Sequence, residues 1–151
     1  MRRGQAFEVF RLLIAAVIAG AILMVLLNIL GGVGIRTQDP QDFVNQAVQS
    51  LATTGGIKTS STITFEKGQG ILLAAAATAA TMDTGCVKAA TGTSYQSSNS
   101  VLNDSCFDVS TDMIQYTCPQ KRKAKILVKC IPETSGASSC PVTCYVDIIK
   151  P

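Results

Sequence analysis

The sequence predicts an α+β protein: a long amino-terminal hydrophobic helix, then a small β-rich, disulfide-bonded globular head. Three observations carry that expectation. Leu12 to Leu27 is an unbroken apolar run, and only Asn28 interrupts its continuation through Ile29 and Leu30. All six cysteines lie downstream, between Cys86 and Cys144. Two downstream stretches, Ile57 to Glu66 and Ala124 to Cys130, place apolar side chains at alternate positions, the period of a strand.

The apolar run fixes the first element. At about 1.5 Å per helical residue, positions 12 to 30 reach roughly 28 Å, close to the hydrocarbon thickness of a bilayer. Ala19-Gly20-Ala21 matches a secretory cleavage site by letter, but Ile22 to Leu27 still follow it, so it is rejected as one. Arg2, Arg3 and Arg11 all precede the run, which favours a cytoplasmic amino end with the remainder outside. Glu8 and Arg11 stand three apart and share one side of a helix, where they can pair. A carboxylate at the edge of a membrane helix is costly unless paired, which marks Glu8 as functional. Ala15/Ala19 and Ala16/Gly20 are two small-x-x-x-small pairs that would let neighbouring helices approach closely.

Gly31-Gly32-Val33-Gly34 is expected to loosen the helix into a hinge, since glycine costs about 1 kcal/mol relative to alanine in a helix interior. Asp39 as N-cap and Pro40 at the first helical position restart it. Phe43, Ala47, Val48 and Leu51 recur at helical spacing, and Gly55-Gly56 closes the segment, so residues 40–53 form a second helix. In the strand Ile57–Glu66, Ile57, Thr59, Ser61, Ile63 and Phe65 are expected on one face. After a turn at 67–70, the six alanines of the next stretch favour a helix over 71–81 rather than a returning strand. Residues 84–89 are a short strand and 92–100 a Ser/Thr-rich loop. Residues 124–130 and 144–150 form the last two strands, joined by a loop over 131–143.

An even number of cysteines confined to the exported part reads as disulfides in an oxidising setting. Six permit fifteen pairings. Cys130 with Cys144 is preferred, because they sit at one level of the final hairpin. Cys86 with Cys106 is the next choice, leaving Cys118 with Cys140. No Cys-x-x-Cys pair and no histidine are present, so no metal site is expected. Asn103-Asp104-Ser105 is the chain's one glycosylation acceptor pattern.

The net charge of +3 rests largely on Arg2 and Arg3; without them eleven basic residues face ten acidic ones. General nucleic-acid affinity is therefore not implied. Lys121-Arg122-Lys123-Ala124-Lys125 is the one basic cluster. It reads first as a charged strand edge protected from sticking, and second as a DNA-contacting patch. Without histidine the usual Ser-His catalytic arrangement is impossible, and no phosphate-binding glycine loop occurs. The chain is not expected to be an enzyme or to need a cofactor.

Arg2-Arg3-Gly4, followed by Gln5 to Arg11 with Glu8 at the start of a long apolar helix, resembles the class III signal segment of type IV pilins, the archaeal branch most closely. The resemblance covers about residues 2 to 30. It implies that a prepilin peptidase cuts between Gly4 and Gln5 on the cytoplasmic side, and that the helix stays on the mature subunit. It also implies that the helices leave the membrane, with the pilus assembly machinery, to bundle as the core of a helical homopolymer. Glu8 would there meet the new amino terminus of a neighbour. Two positions depart from the family: Glu8 falls four places after the cut instead of five, and the Ser between Gln and Glu is missing. The resulting layout is a leader (1–4), a helix that is first membrane anchor and then filament core (5–36), and an extracellular head (37–151). The expected role is a structural subunit of a cell-surface filament serving adhesion. The alternative is a membrane-anchored surface protein or minor pilin that binds a ligand such as DNA.

Overall fold

The computed structural model describes residues 3–32, 38–134, 136 and 139–151; side chains at 3–7 and 27–32 fall outside the described residues. The chain divides into two compact units, Met1–Arg36 and Thr37–Pro151. The first is the helix α1, Arg3–Gly32. It runs on through Gly31 rather than breaking there, because an apolar stretch of this length supplies enough consecutive hydrogen bonds to tolerate interior glycines. Val33 and Gly34, the rest of the expected hinge, lie outside the described residues.

The second unit is built on two sheets and two helices. Helix α2 (Pro40–Leu51) starts as expected: the Asp39 carboxylate accepts the Gln41 N–H at 3.0 Å, and Pro40 occupies the first turn. Phe43, Val44, Ala47 and Val48 form its buried stripe. The helix ends two residues early, at Leu51, and the chain turns at Gly55. That residue must be glycine, since its φ is +70° and a Cβ would lie 2.8 Å from Cδ of Pro132.

The main sheet contains β1 (Gly56–Thr59), β2 (Ile63–Phe65), β4 (Val87–Ala89), β7 (Arg122–Pro132) and β8 (Val142–Ile149), in the order β1-β7-β8-β4 with β2 also on β7. The second sheet has the order β3-β6-β5, from β3 (Gly70–Leu72), β5 (Phe107–Val109) and β6 (Met113–Tyr116). Helix α3 (Leu73–Ala79) follows β3 directly. The antiparallel pair β7/β8 is the longest ladder and sets Cys130 opposite Cys144.

The single strand expected over 57–66 is two strands separated by a bulge. Ser60 N–H donates to the Ile126 carbonyl at 2.9 Å, while the Ile126 N–H donates to Ser60 Oγ at 2.8 Å. The hydroxyl thus stands in for a main-chain carbonyl, and the register slips by one residue. Thr59 lies opposite Leu127, but Ile63 lies opposite Ala124 instead of Lys123. A slip of one residue exchanges faces. Ile57 and Thr59 are therefore exposed, while Ile63 and Phe65 are buried.

The stretch 71–81 divides as well. Ile71 and Leu72 pair with Ile114 and Met113 before the helix begins, and the helix stops at Ala79. Of 84–89, only Val87–Ala89 is strand, and it runs parallel to β8; Thr84–Cys86 is one turn of 3₁₀ helix. The hairpin of β5 and β6 was not expected at all. Its Phe107 and Tyr116 meet Phe65 in an aromatic cluster, with Phe65–Phe107 centroids 5.6 Å apart and near-perpendicular rings.

Three disulfides close the head: Cys86–Cys140, Cys106–Cys118 and Cys130–Cys144. The hairpin bridge is the one preferred from the sequence. Cys86–Cys106 and Cys118–Cys140 are not formed, because the unexpected β5/β6 hairpin brings Cys106 to Cys118 across its open end.

Candidate functional site

Helix α1 carries most of the residues singled out from the sequence. Every described side chain from Glu8 to Leu26 is exposed, including Leu12 at 71% and Met24 at 68%. By length and composition Glu8–Leu26 is able to cross a membrane. Apolar residues surround the helix on all sides, as a lipid-facing or helix-facing surface requires and as a surface helix of a soluble head does not. Glu8 and Arg11, three residues apart at the amino end, are both exposed.

The helix repeat stacks Ala15 over Ala19 and Ala16 over Gly20. A Cβ built on Gly20 meets no atom within 4 Å. Nothing in its own chain therefore requires a glycine at that position. Gly4 and Gln5, expected from the sequence to flank a processing cut, lie in the helical backbone, but their side chains fall outside the described residues.

The head surface separates the basic cluster into two parts. Lys121 pairs with Glu66 at 2.6 Å, and Arg122 pairs with Asp104 while lying over the Phe107 ring. Arg122 and then the Cys106 N–H, both donating to the Asp104 carboxylate, hold that carboxyl below the usual aspartate range. Lys123 and Lys125 alternate along the outward face of β7, with Lys129 further along, set over Tyr95. Two of the cluster's four charges are thus committed to neighbouring carboxylates, which weakens a phosphate-binding face. Asn103 is exposed in a turn, as a glycan acceptor must be.

One buried polar site escaped the sequence. Asp147 is 1% exposed and accepts hydrogen bonds from the Ser97 N–H at 2.7 Å and from Ser100 Oγ. It fastens the 90–101 loop over the outer face of β8, where Tyr95 packs on Tyr145 at 4.5 Å between centroids. Burial, with Tyr95 and Glu133 nearby, raises the Tyr145 hydroxyl above its ordinary pKa. The available signal was an acidic residue alternating with Tyr145 and Ile149 in an otherwise apolar strand. Asp147→Ala should leave the Ser97 N–H and the Ser100 O–H without their acceptor and destabilise the head by about 3 kcal/mol. A lowered denaturant midpoint, with faster amide exchange confined to 90–101, is the expected readout; unchanged stability would show that the carboxylate holds nothing.

The chain is thus an amino-terminal apolar helix followed by a β-sheet head with three disulfides, a mixed α+β arrangement compatible with a pilin-like fold. No family model, curated protein or solved structure matches it.

Proposed function

We propose that the chain is a structural, non-enzymatic subunit of a type IV pilin-like filament on the cell surface, polymerising through α1 and serving adhesion. The observation that carries this reading is the exposure of the whole apolar surface from Glu8 to Leu26, with space beside Gly20 that its own chain does not fill. Such a surface must be covered by lipid or by other helices, since exposed apolar patches of this size are not left in water. A filament uses both in turn. The precursor lies in the cytoplasmic membrane with its amino end inside, a prepilin peptidase removes residues 1–4, and the assembly machinery transfers the helix from lipid to a bundle of its copies. The head then faces outward, its fold closed by disulfides suited to an oxidising exterior.

Processing supplies the direct test. The mature chain should begin at Gln5, and Gly4→Leu should leave an uncut precursor in the membrane with no filaments by electron microscopy. A mature start at Ile22 would mean that the helix is a secretory signal. A processed wild-type protein that stays in the membrane would favour the anchored surface protein or minor pilin, for which Lys123, Lys125 and Lys129 on the outward face of β7 offer the anion-binding surface.

A further inference from the structure

Charge divides the head by element. Strands β1 and β7 carry Lys58, Arg122, Lys123, Lys125 and Lys129 and no acidic residue. Helices α2 and α3 and strands β3, β5 and β6 carry no basic residue. Asp42 and Asp108 belong to this second group, and Asp39 and Asp112 border it. All four are exposed, and none has an ion pair among the described residues. Among the described residues of the head, the large apolar side chains left exposed are Ile57, at 60%, and Leu72, at 51%. One belongs to the basic group and the other to the acidic group.

Register sets the surroundings of each. Ile57 lies opposite Lys129 and Thr59 opposite Leu127, and alternation along β7 puts Lys123 and Lys125 on the same outward side. Ile57 and Leu127 thus form an apolar centre bordered by three lysines. On the other surface, Gln41 grips Leu72 by its backbone: the Leu72 N–H donates to Gln41 Oε1 at 2.6 Å, and Gln41 Nε2 donates to the Leu72 carbonyl at 3.2 Å. The Leu73 N–H donates to the Asp112 carbonyl at 2.8 Å. These bonds set Leu72 between the first turn of α2, with Asp39 and Asp42, and the β5/β6 turn, with Asp112. Helix α2 packs on the buried face of β7, so the acidic surface lies across the sheet from Ile57 and its lysines. One copy cannot bring the two together.

We infer that the basic surface around Ile57 docks on the acidic surface around Leu72 of a second copy. An exposed hydrophobic residue standing alone needs no explanation. Here each is an apolar centre within a rim of one charge sign, the anatomy of a protein interface. The two rims have opposite signs, and such complementarity steers encounter and selects the partner. A free polyanion or an anionic lipid surface would account for the lysines alone and leave the Leu72 surface without a role. A second copy accounts for both. Joining two different surfaces makes a head-to-tail contact, the kind that extends into an open helical polymer when it does not close into a ring.

The inference rests on the filament reading for the crowding that brings heads together, so the test separates the two. A photo-cross-linking amino acid replaces Ile57 in the full chain, which is co-expressed with a tagged copy. Links between the copies are mapped in intact filaments and, in parallel, in membrane vesicles densely loaded with the protein. The expected targets are residues 39–42, 72 and 112–113 of the other copy, with a yield that falls as salt is raised. Lys123→Glu with Lys125→Glu should lower that yield about tenfold, and so should Asp42→Lys with Asp112→Lys. None of these four side chains has an ion pair among the described residues, so the disulfide map and the denaturation midpoint should not change. All four changes in one chain exchange the signs of both surfaces and should restore the link. If wild-type filaments never form, the filament reading falls and the vesicles alone judge the contact. Links from position 57 to lipid, to its own copy or to other residues in both preparations overturn it, as do links that neither reversal weakens.

Discussion

Gly20→Leu, and Ala16→Leu beside it, should reduce filament yield by at least about tenfold while expression, processing and head folding stay intact. The two environments open to α1 respond to these changes with opposite signs. A bilayer requires only apolar side chains, and leucine inserts at least as well as glycine or alanine. A helix bundle requires close approach at the small-residue positions, and each added side chain holds neighbouring backbones apart. Overpacking of that kind costs about 1 to 3 kcal/mol at each contact, and about 1.4 kcal/mol already corresponds to a factor of ten. In a polymer the cost recurs at every subunit. A Cβ on Gly20 meets nothing within 4 Å in its own chain, so any penalty must come from other copies. Glu8→Ala should act in the same direction if Glu8 neutralises a neighbour's amino terminus or Arg11 during docking. Quantitative electron microscopy of sheared filaments against total membrane protein gives the readout. Normal assembly by both Gly20→Leu and Glu8→Ala would leave a monomeric anchored surface protein as the better reading.

The parts of this fold that could be read from the sequence are those specified locally. The apolar run, the Asp39-Pro40 cap and the stripe of Phe43, Ala47 and Val48 depend only on neighbours in the chain, and each became the expected helix. The β7/β8 hairpin and its Cys130–Cys144 bridge were legible for the same reason. What was missed depends on partners far away. The Ser60 hydroxyl replaces a carbonyl only because Ile126 lies across from it, and that one substitution reverses the faces of Ile57 and Ile63. Ile71 and Leu72 have helical neighbours, yet Ile114 and Met113 hold them in a strand.

The β5/β6 hairpin left a usable signal, with Phe107, Val109, Ile114 and Tyr116 alternating around a Ser-Thr-Asp turn. The reasoning that paired Cys130 with Cys144 applies equally to Cys106 and Cys118 once that hairpin is seen. The candidate assembly residues were legible because helical spacing alone stacks them. The Asp147 site was not, because sheet order and register create it.

Removing the Cys86–Cys140 bridge should destabilise the head more than removing either of the others. A cross-link restricts the unfolded chain in proportion to the logarithm of the loop it closes. Cys86 and Cys140 are 54 residues apart, against 14 for Cys130–Cys144 and 12 for Cys106–Cys118. Chain entropy then gives about 4 kcal/mol for the long loop and about 3 kcal/mol for each short one. The position of each bridge reinforces that order. Cys130–Cys144 lies inside a continuous ladder, where backbone hydrogen bonds already hold the strands together. Cys86 is fully buried in the turn just before β4, a strand of three residues, and its bridge ties that strand to the segment leading into β8. Against a typical net stability of about 5 to 15 kcal/mol for a domain, the loss is a large fraction of the whole. Each pair should be replaced by two alanines, so that no free thiol remains to rearrange the others, and the three variants compared by equilibrium denaturation. The expected order has the 86/140 variant lowest, with amide exchange rising first in β4 and the 90–101 loop. An 86/140 variant as stable as the wild type, or more stable than the 130/144 variant, would show that loop closure does not govern this head and that β4 is held by its pairing with β8 alone.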